Sequence, residues 1–330
     1  MYDKVEREQK VAAYLSKHYL PSLQAERSDL DVASLSNLME RTVGLCKADL
    51  LSEMVYEFTE LQGLMGYYYA KASNQDASLA LAFKEQYLPD SEESALPSTL
   101  FSAIVALSYK IDSLLALFSI GKIPTGTKDP FALRRAVNGI IKIVLDKNLA
   151  FDIQKDFAAL ATIYHGFDAQ KLEAFFLERV YQFFDANPSI IKAVLESGER
   201  DIVRLSQKIS ALKRIVESSG FKESFSTFKR VANIIKDMDI NAELSVDTTK
   251  FEVAQEGALY DAFTNVIATE YDNYEEKLDA LFGLKPRIDD FFGNVMVNAE
   301  DASIKQNRQH LIGSIYKAFK AIADIKEITV

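Results

Sequence analysis

Apolar residues recur three and four positions apart along nearly the whole chain, the spacing that lines one face of an α-helix. The series Met54, Phe58, Leu61, Met65, Tyr68 and Phe101, Ile104, Leu107, Ile111, Leu114, Phe118 predict two helices that bury facing stripes. Pro97-Ser98-Thr99 supplies a start for the second helix, and Gly121 a left-handed stop. Further helices are predicted around Leu133, Val137, Ile140, Ile141 and Val144, around Leu172, Phe176, Val180 and Phe183, and around Ile202, Leu205, Ile209, Leu212 and Val216, with Asn187-Pro188 and Gly220 as punctuation. Phe225, Phe228, Val231 and Ile235, together with later apolar positions from Leu259 to Phe319, predict a C-terminal bundle. Between them Asp237 to Lys250 is polar and aperiodic, which predicts a surface loop. No alternating run is long enough to build a sheet, so the pattern predicts an all-α, multidomain protein.

A chain of 330 residues exceeds one ordinary core. The expected division is 1–122, 123–222 and 223–330. With 48% hydrophobic and 26% charged residues the balance is that of a globular protein, and only 13 Gly and 7 Pro favour long helices. No stretch approaches the roughly 20 uninterrupted apolar residues that span a bilayer, and Met1 to Arg7 lacks a signal peptide's apolar region. The expected location is therefore cytoplasmic, with no membrane partner. Cys46 is the single cysteine, which excludes an intrachain disulfide and a thiolate zinc cluster and leaves helix packing as its role.

The net charge of −10 opposes a uniformly basic nucleic-acid binder, but the charge is uneven. From Asp201 to Lys236 the cations Arg204, Lys208, Lys213, Arg214, Lys222, Lys229, Arg230 and Lys236 stand against Asp201, Glu217 and Glu223, a net of 8 − 3 = +5. Such a strip, exposed on the polar side of a helix, could hold phosphate. Acids dominate from Glu243 to Asp301, as on a solvated outer surface.

The local chemistry centres on Lys128-Asp129-Pro130-Phe131-Ala132-Leu133-Arg134-Arg135, preceded by Gly121 to Thr127. Asp129 can cap free backbone N–H groups and Pro130 can take the first helical position. Arg134 and Arg135 then follow an apolar first turn of Phe131 and Leu133, so at least one guanidinium points away from the core. The same pattern also suits a plain solvated helix start. There is no Walker-type loop and no glycine-rich turn between strand and helix. Gly63 and Gly66 suit close helix packing better than a phosphate cradle. His18, His165 and His310 are isolated, and Glu57 with Glu60 on one helix face makes at best a weak site for a hard cation, so no metal site and no catalytic residue is assigned.

The Lys128–Arg135 string, the upstream Glu57-Phe58-Thr59-Glu60-Leu61-Gln62-Gly63-Leu64-Met65-Gly66, and the downstream Phe291-Phe292-Gly293-Asn294-Val295-Met296-Val297-Asn298-Ala299-Glu300-Asp301 with Asn307-Arg308 and Ile322-Ala323-Asp324 occur in the order found in one family. Together they resemble the β subunit of the bacterial heterotetrameric glycyl-tRNA synthetase, approximately its C-terminal half. The start inside a helical pattern is expected of a truncated chain that lacks the family's upstream modules. The resemblance implies an N-terminal third similar to the HD-type helical fold of metal-dependent phosphohydrolases. Glu57-Phe58 stands where the His-Asp pair would be, and Asp112 is the late acid. It also implies a helical connecting body and a C-terminal anticodon-binding bundle.

In that family the α subunit holds the ATP and glycine sites. The resemblance thus implies no cofactor in this chain, ATP and Mg in the partner α subunit, tRNA(Gly) and the α subunit as partners, and no aminoacylation by this chain alone. It places Lys128, Arg134, Arg135, Arg230, Asn307 and Arg308 at the tRNA, with Asn307 and Arg308 beginning the final helix. The alternative for that last pair is helix capping and an intramolecular salt bridge. Gln309-His310 departs from the leucine expected soon after Arg308. Tyr260, Tyr271, Tyr274 and Tyr316 could stack on bases, though core packing suits helical aromatics better. An HD-type phosphohydrolase and a helical adaptor that binds protein through an apolar groove are the alternative functions.

Overall fold

The computed structural model describes the chain except Gly126, Thr127, Ser219, Asp237, Asn241 and Val330, and the side chains of Lys222, Glu223 and Ser224. Gly126-Thr127 of the loop before Lys128, Lys222 of the basic strip and Asp237 at the start of the predicted loop therefore lie outside the described residues. The described residues are helical, with two isolated bridges, Thr125 to Lys128 and Asp152 to Asp201, in place of a sheet. They form two compact units: Met1–Phe183 with Asp201–Val203, and Phe184–Arg200 with Arg204–Val330. The expected boundary at 122/123 falls inside the first unit and that at 222/223 inside the second.

Unit 1 contains α1 (Tyr2–His18), α2 (Leu20–Glu26), α3 (Val32–Leu45), α4 (Glu53–Glu57), α5 (Leu64–Ala72), α6 (Ala77–Glu85), α7 (Leu100–Ser119), α8 (Leu133–Asp146), α9 (Ile153–Leu160) and α10 (Ala169–Phe183). Its axis is α7, against which α1, α6 and α8 pack. Thr99 caps the start by accepting from the Ser102 N–H, and Gly121 follows the end at φ +71°. All six apolar positions predicted on this helix are buried, each contributing about 1.5–3 kcal/mol of burial free energy. By length and composition α7 could cross a membrane, but 72% of its most apolar window is buried inside unit 1, as in a core helix.

The helix predicted from Met54 to Tyr68 is broken. Residues 53–57 form α4, Thr59–Leu61 a 3₁₀ turn, and α5 starts only at Leu64. Met54, Phe58 and Tyr68 are exposed instead of buried. The helix first breaks at Phe58, where φ −124° and ψ 80° leave the helical region, and α5 begins anew after Gly63, whose φ of +78° disfavours any side chain and where a Cβ would lie 2.8 Å from the Phe83 carbonyl oxygen. The N–H groups of Gly63 and Gly66 donate to the buried Asp49 Oδ2 at 2.6 and 3.2 Å, so an internal carboxylate fills the start of α5. Cys46 packs with Ala70, Leu79, Ala80 and Phe83, and burial pushes its thiol up to about 11.

Unit 2 contains α11 (Pro188–Leu195), most of α12 (Ile202–Val216), α13 (Phe221–Ile234), α14 (Ala254–Ala268), α15 (Tyr274–Phe282), α16 (Lys285–Asn294) and α17 (Ala302–Lys320). Its core centres on the rings of Phe228, Phe282 and Phe319, whose centroids lie 4.8, 5.1 and 4.9 Å apart in edge-on pairs. Among the described residues of the segment 238–250 the only helical turn is Thr248–Lys250. The segment runs along α17, held by a reciprocal pair in which Asn307 Oδ1 accepts from the Asp247 N–H at 2.7 Å and Asn307 Nδ2 donates to the Asp247 carbonyl at 2.9 Å.

Candidate nucleic-acid interface

The Lys128–Arg135 string folds as a turn followed by α8, which starts at Leu133 rather than at Pro130. Ala132, at φ +56°, occupies the position before the helix in a left-handed conformation. Asp129 still caps, from farther back than expected: its two carboxylate oxygens accept from the Leu133 and Arg134 N–H groups, both at 2.9 Å. Leu133 is fully buried, which sets the rotation of the helix. Lys128 and Arg135 are exposed and Arg134 half-buried. Phe131 does not join an apolar first turn; it is 50% exposed.

Arg135 opens onto a cleft of about 450 Å³ that also receives Glu60 from the 3₁₀ turn, Gln62 just after it, Lys84 from α6, Lys110 from α7 and Phe131. Two strings more than sixty residues apart in sequence, Glu57–Gly66 and Lys128–Arg135, thus meet on one wall-lined opening. Lys110 is buried, and its Nζ donates to the Tyr87 and Pro89 carbonyls at 3.1 and 2.9 Å. Burial pushes it down to about 8, against the pull of the Asp90 charge. Gly139 on α8 makes the room: a Cβ there would stand 2.8 Å from Lys110 Cε.

Beside this cleft unit 1 carries a buried charge network at the site of the expected late acid. Asp112 accepts from Lys4 Nζ at 2.8 Å, Arg7 Nε at 2.7 Å and the Tyr164 hydroxyl at 3.1 Å. Glu8 pairs with Lys47 at 2.7 Å and with Lys4 at 3.0 Å. Burial alone would lower Lys47, but Cys46 and Glu8 hold it raised. Burial and the Asp112 charge both push the Tyr164 phenol up. The carboxylates are therefore neutralised by side-chain cations. Glu57 and Glu60 do not share a helix face, since one ends α4 and the other lies in the 3₁₀ turn. Among the described residues no group of three or more His, Cys, Asp or Glu is arranged to hold a metal.

In unit 2 the expected contacts turn inward. Asn307 and Arg308 do not begin the final helix; Asp301 caps α17 by accepting from the Ser303 and Ile304 N–H groups, and the pair lies beyond the first turn. Asn307 is closed on Asp247. Arg308, only 6% exposed, donates to Glu256 at 2.8 Å, Glu252 at 2.7 Å and the Met296 carbonyl at 3.1 Å. These donors and acceptors are held inside the unit, the arrangement of the intramolecular alternative.

The basic strip on α12 is largely neutralised as well. Lys208 is buried against Glu199 at 2.9 Å, Lys213 meets Asp185 at 3.2 Å, and Arg214 pairs with Glu275. Arg230 remains exposed, its guanidinium 4.3 Å above the Phe292 ring. Of the four tyrosines considered for stacking, Tyr316 is buried with its hydroxyl on Asp324, and Tyr271 donates to the Val266 carbonyl.

The sequence profile described as glycyl-tRNA synthetase beta subunit matches residues 1–196, more than half of the chain. The chain belongs to this glycyl-tRNA synthetase beta subunit family. The glycine–tRNA ligase beta subunit of Helicobacter pylori strain G27 is 46% identical over 335 aligned residues, covering 99% of this chain and 47% of the relative. The corresponding subunits of Streptococcus mutans and Pseudomonas syringae pv. tomato are 37% and 33% identical, covering 99% and 98% of the chain. The chain spans about half the length of the curated relatives it matches.

Within this beta-subunit chain the profile match encloses both strings that meet at the unit 1 cleft. Sequence reasoning missed Lys110, Lys84, Tyr87 and Tyr109 as cleft residues. The available signal was a single lysine inside the apolar run of Phe101 to Phe118.

Proposed function

We propose that this chain is the tRNA-binding part of a glycyl-tRNA synthetase beta subunit and supports ATP-dependent attachment of glycine to tRNA(Gly) by the complex with the α subunit. ATP and Mg belong, in this reading, to the α subunit, and the assembly works in the cytoplasm. The observation that carries the proposal is the kinship along almost the whole chain with proteins named glycine–tRNA ligase beta subunit. The exposed cations Lys128 and Arg135, with Arg134 beside them on a capped helix start, add a physical means of meeting an RNA backbone. In unit 2, exposed Arg230 over Phe292 offers a second cationic surface. Asn307 and Arg308, closed on Asp247 and on Glu252, Glu256 and the Met296 carbonyl, serve in this reading to hold the unit together.

The chain alone should neither form glycyl-adenylate nor charge tRNA, while tRNA(Gly) should bind it. Pyrophosphate exchange and filter binding on the purified chain test the two halves separately. Glycine-dependent exchange free of contaminating synthetase would refute the division of labour, and absence of tRNA binding would refute the role. Turnover of nucleotides by the chain would favour the phosphohydrolase instead; the internal neutralisation of Asp112 by Lys4 and Arg7 argues against that outcome.

A further inference from the structure

Lys110 presents a physical problem that the surface contacts of unit 1 do not resolve. Its side chain is almost wholly buried, its ammonium donates to two backbone carbonyls, and among the described residues no carboxylate pairs with it. An ammonium has three donors, so one remains. A buried cation on which the opposite charge of Asp90 acts without a direct ion pair is costly, and further relief comes from an anion that can reach it. Lys110 lines the cleft, and so do Lys84 and Arg135, against the carboxylates of Glu60 and Asp90. The cleft is thus net cationic and focuses on a buried charge.

Its other walls are aromatic. Tyr87 and Tyr109 pack edge to face with centroids 5.0 Å apart, and half-exposed Phe131 stands on the α8 side. At about 450 Å³ the space falls in the range of small-ligand sites, roughly 300–1,000 Å³. A cation at depth with flat apolar rings around it suits a ligand with a phosphate at one end and an aromatic ring at the other.

We propose that this cleft binds one unpaired nucleotide of RNA, with its phosphate against Lys110 and Arg135 and its base against Phe131 and the tyrosine rings. The identity of the RNA rests on the tRNA-binding reading above, but occupancy by a nucleotide does not. Lys110 is the specific element, because a lysine depressed to about 8 by burial is charged at pH 7 and mostly neutral at pH 9. Glu60, Lys84, Asp90, Arg135 and the phenols of Tyr87 and Tyr109 face the same space, so the variant below assigns the pH step to one group.

The test is equilibrium titration of the 330-residue chain with AMP, ribose 5-phosphate and inorganic phosphate at pH 7 and pH 9. AMP should bind at one site at least about fivefold more tightly than ribose 5-phosphate, the lower end for one stacked base. Its affinity should fall about tenfold at pH 9, following the protonated fraction of Lys110. Lys110→Met should abolish the pH step, and the surface change Arg135→Gln should weaken binding at both pH values while keeping the step. AMP that binds no better than inorganic phosphate, a wild-type affinity without a pH step, or affinity indifferent to Arg135→Gln would each overturn the proposal. Failure of AMP to bind a chain that still binds tRNA(Gly) would sink this inference alone; AMP binding without tRNA binding would sink the tRNA reading and leave the nucleotide site.

Discussion

Arg308 shows how a residue's neighbours in space decide its role. In sequence it stands beside Asn307 in a string of the anticodon-binding type, with its partners Glu252 and Glu256 more than fifty residues upstream and therefore invisible as partners. The fold closes the guanidinium on both carboxylates and on the Met296 carbonyl. Burial works against the charge of Glu256, but Arg308 and the N–H groups of Glu252 and Val253 hold its carboxyl below the usual range. The sign follows directly: this contribution to stability is complete above the ordinary glutamate pKa of about 4.3 and is lost as pH falls through the lower folded value. Arg308→Ala leaves Glu256 buried and unpaired and should cost unit 2 about 3–5 kcal/mol by denaturant unfolding. A loss below 1 kcal/mol, with tRNA affinity reduced, would return Arg308 to the RNA surface. Arg135 is the opposite case. Two positions after buried Leu133 on a capped helix, its outward direction is written locally; sequence reading expected at least one of Arg134 and Arg135 to point away from the core, and Arg135 is the exposed one.

The same contrast holds for whole elements. Helix α7 was legible because its apolar spacing is uninterrupted between a Thr99 cap and a Gly121 stop, and the one distant group at its start, the Glu26 carboxylate that accepts from the Leu100 and Phe101 N–H groups, reinforces the helix instead of breaking it. The stretch from Met54 to Tyr68 has similar spacing, yet the backbone leaves the helix at Phe58, and Gly63 with the carboxylate of Asp49 sets a separate start for α5. Periodicity alone reports which residues could share a face, not whether the backbone stays helical between them. Alanine at two positive-φ glycines separates local strain from packing. Gly121→Ala meets nothing within 4 Å and should cost only the conformational penalty of about 1 kcal/mol, whereas Gly63→Ala also drives a Cβ to 2.8 Å from the Phe83 carbonyl and should cost about 2–4 kcal/mol. Equal losses in thermal unfolding of the two variants would show that the close approach at Gly63 is relieved without penalty.

At the scale of the molecule, an acidic chain of net charge −10 can bind RNA only through local concentrations of positive charge. Composition suggested the strip on α12, but the fold pairs Lys208, Lys213 and Arg214 with acids. It leaves Lys128 and Arg135 exposed, with Arg134 beside them at the α8 start. The family was readable because its strings are contiguous; the charge pairing was not, because it depends on tertiary partners. The most direct measurement is therefore the salt dependence of tRNA(Gly) binding to the chain and to its Arg134→Ala/Arg135→Ala variant, with circular dichroism confirming an intact fold. Wild-type binding should weaken steeply with salt, and the variant should bind more weakly, with a log–log slope shallower by roughly one unit for each phosphate that is no longer neutralised. Unchanged affinity and slope in the folded variant, or no binding of tRNA(Gly) by the wild-type chain, would contradict a tRNA-binding role for the α8 start.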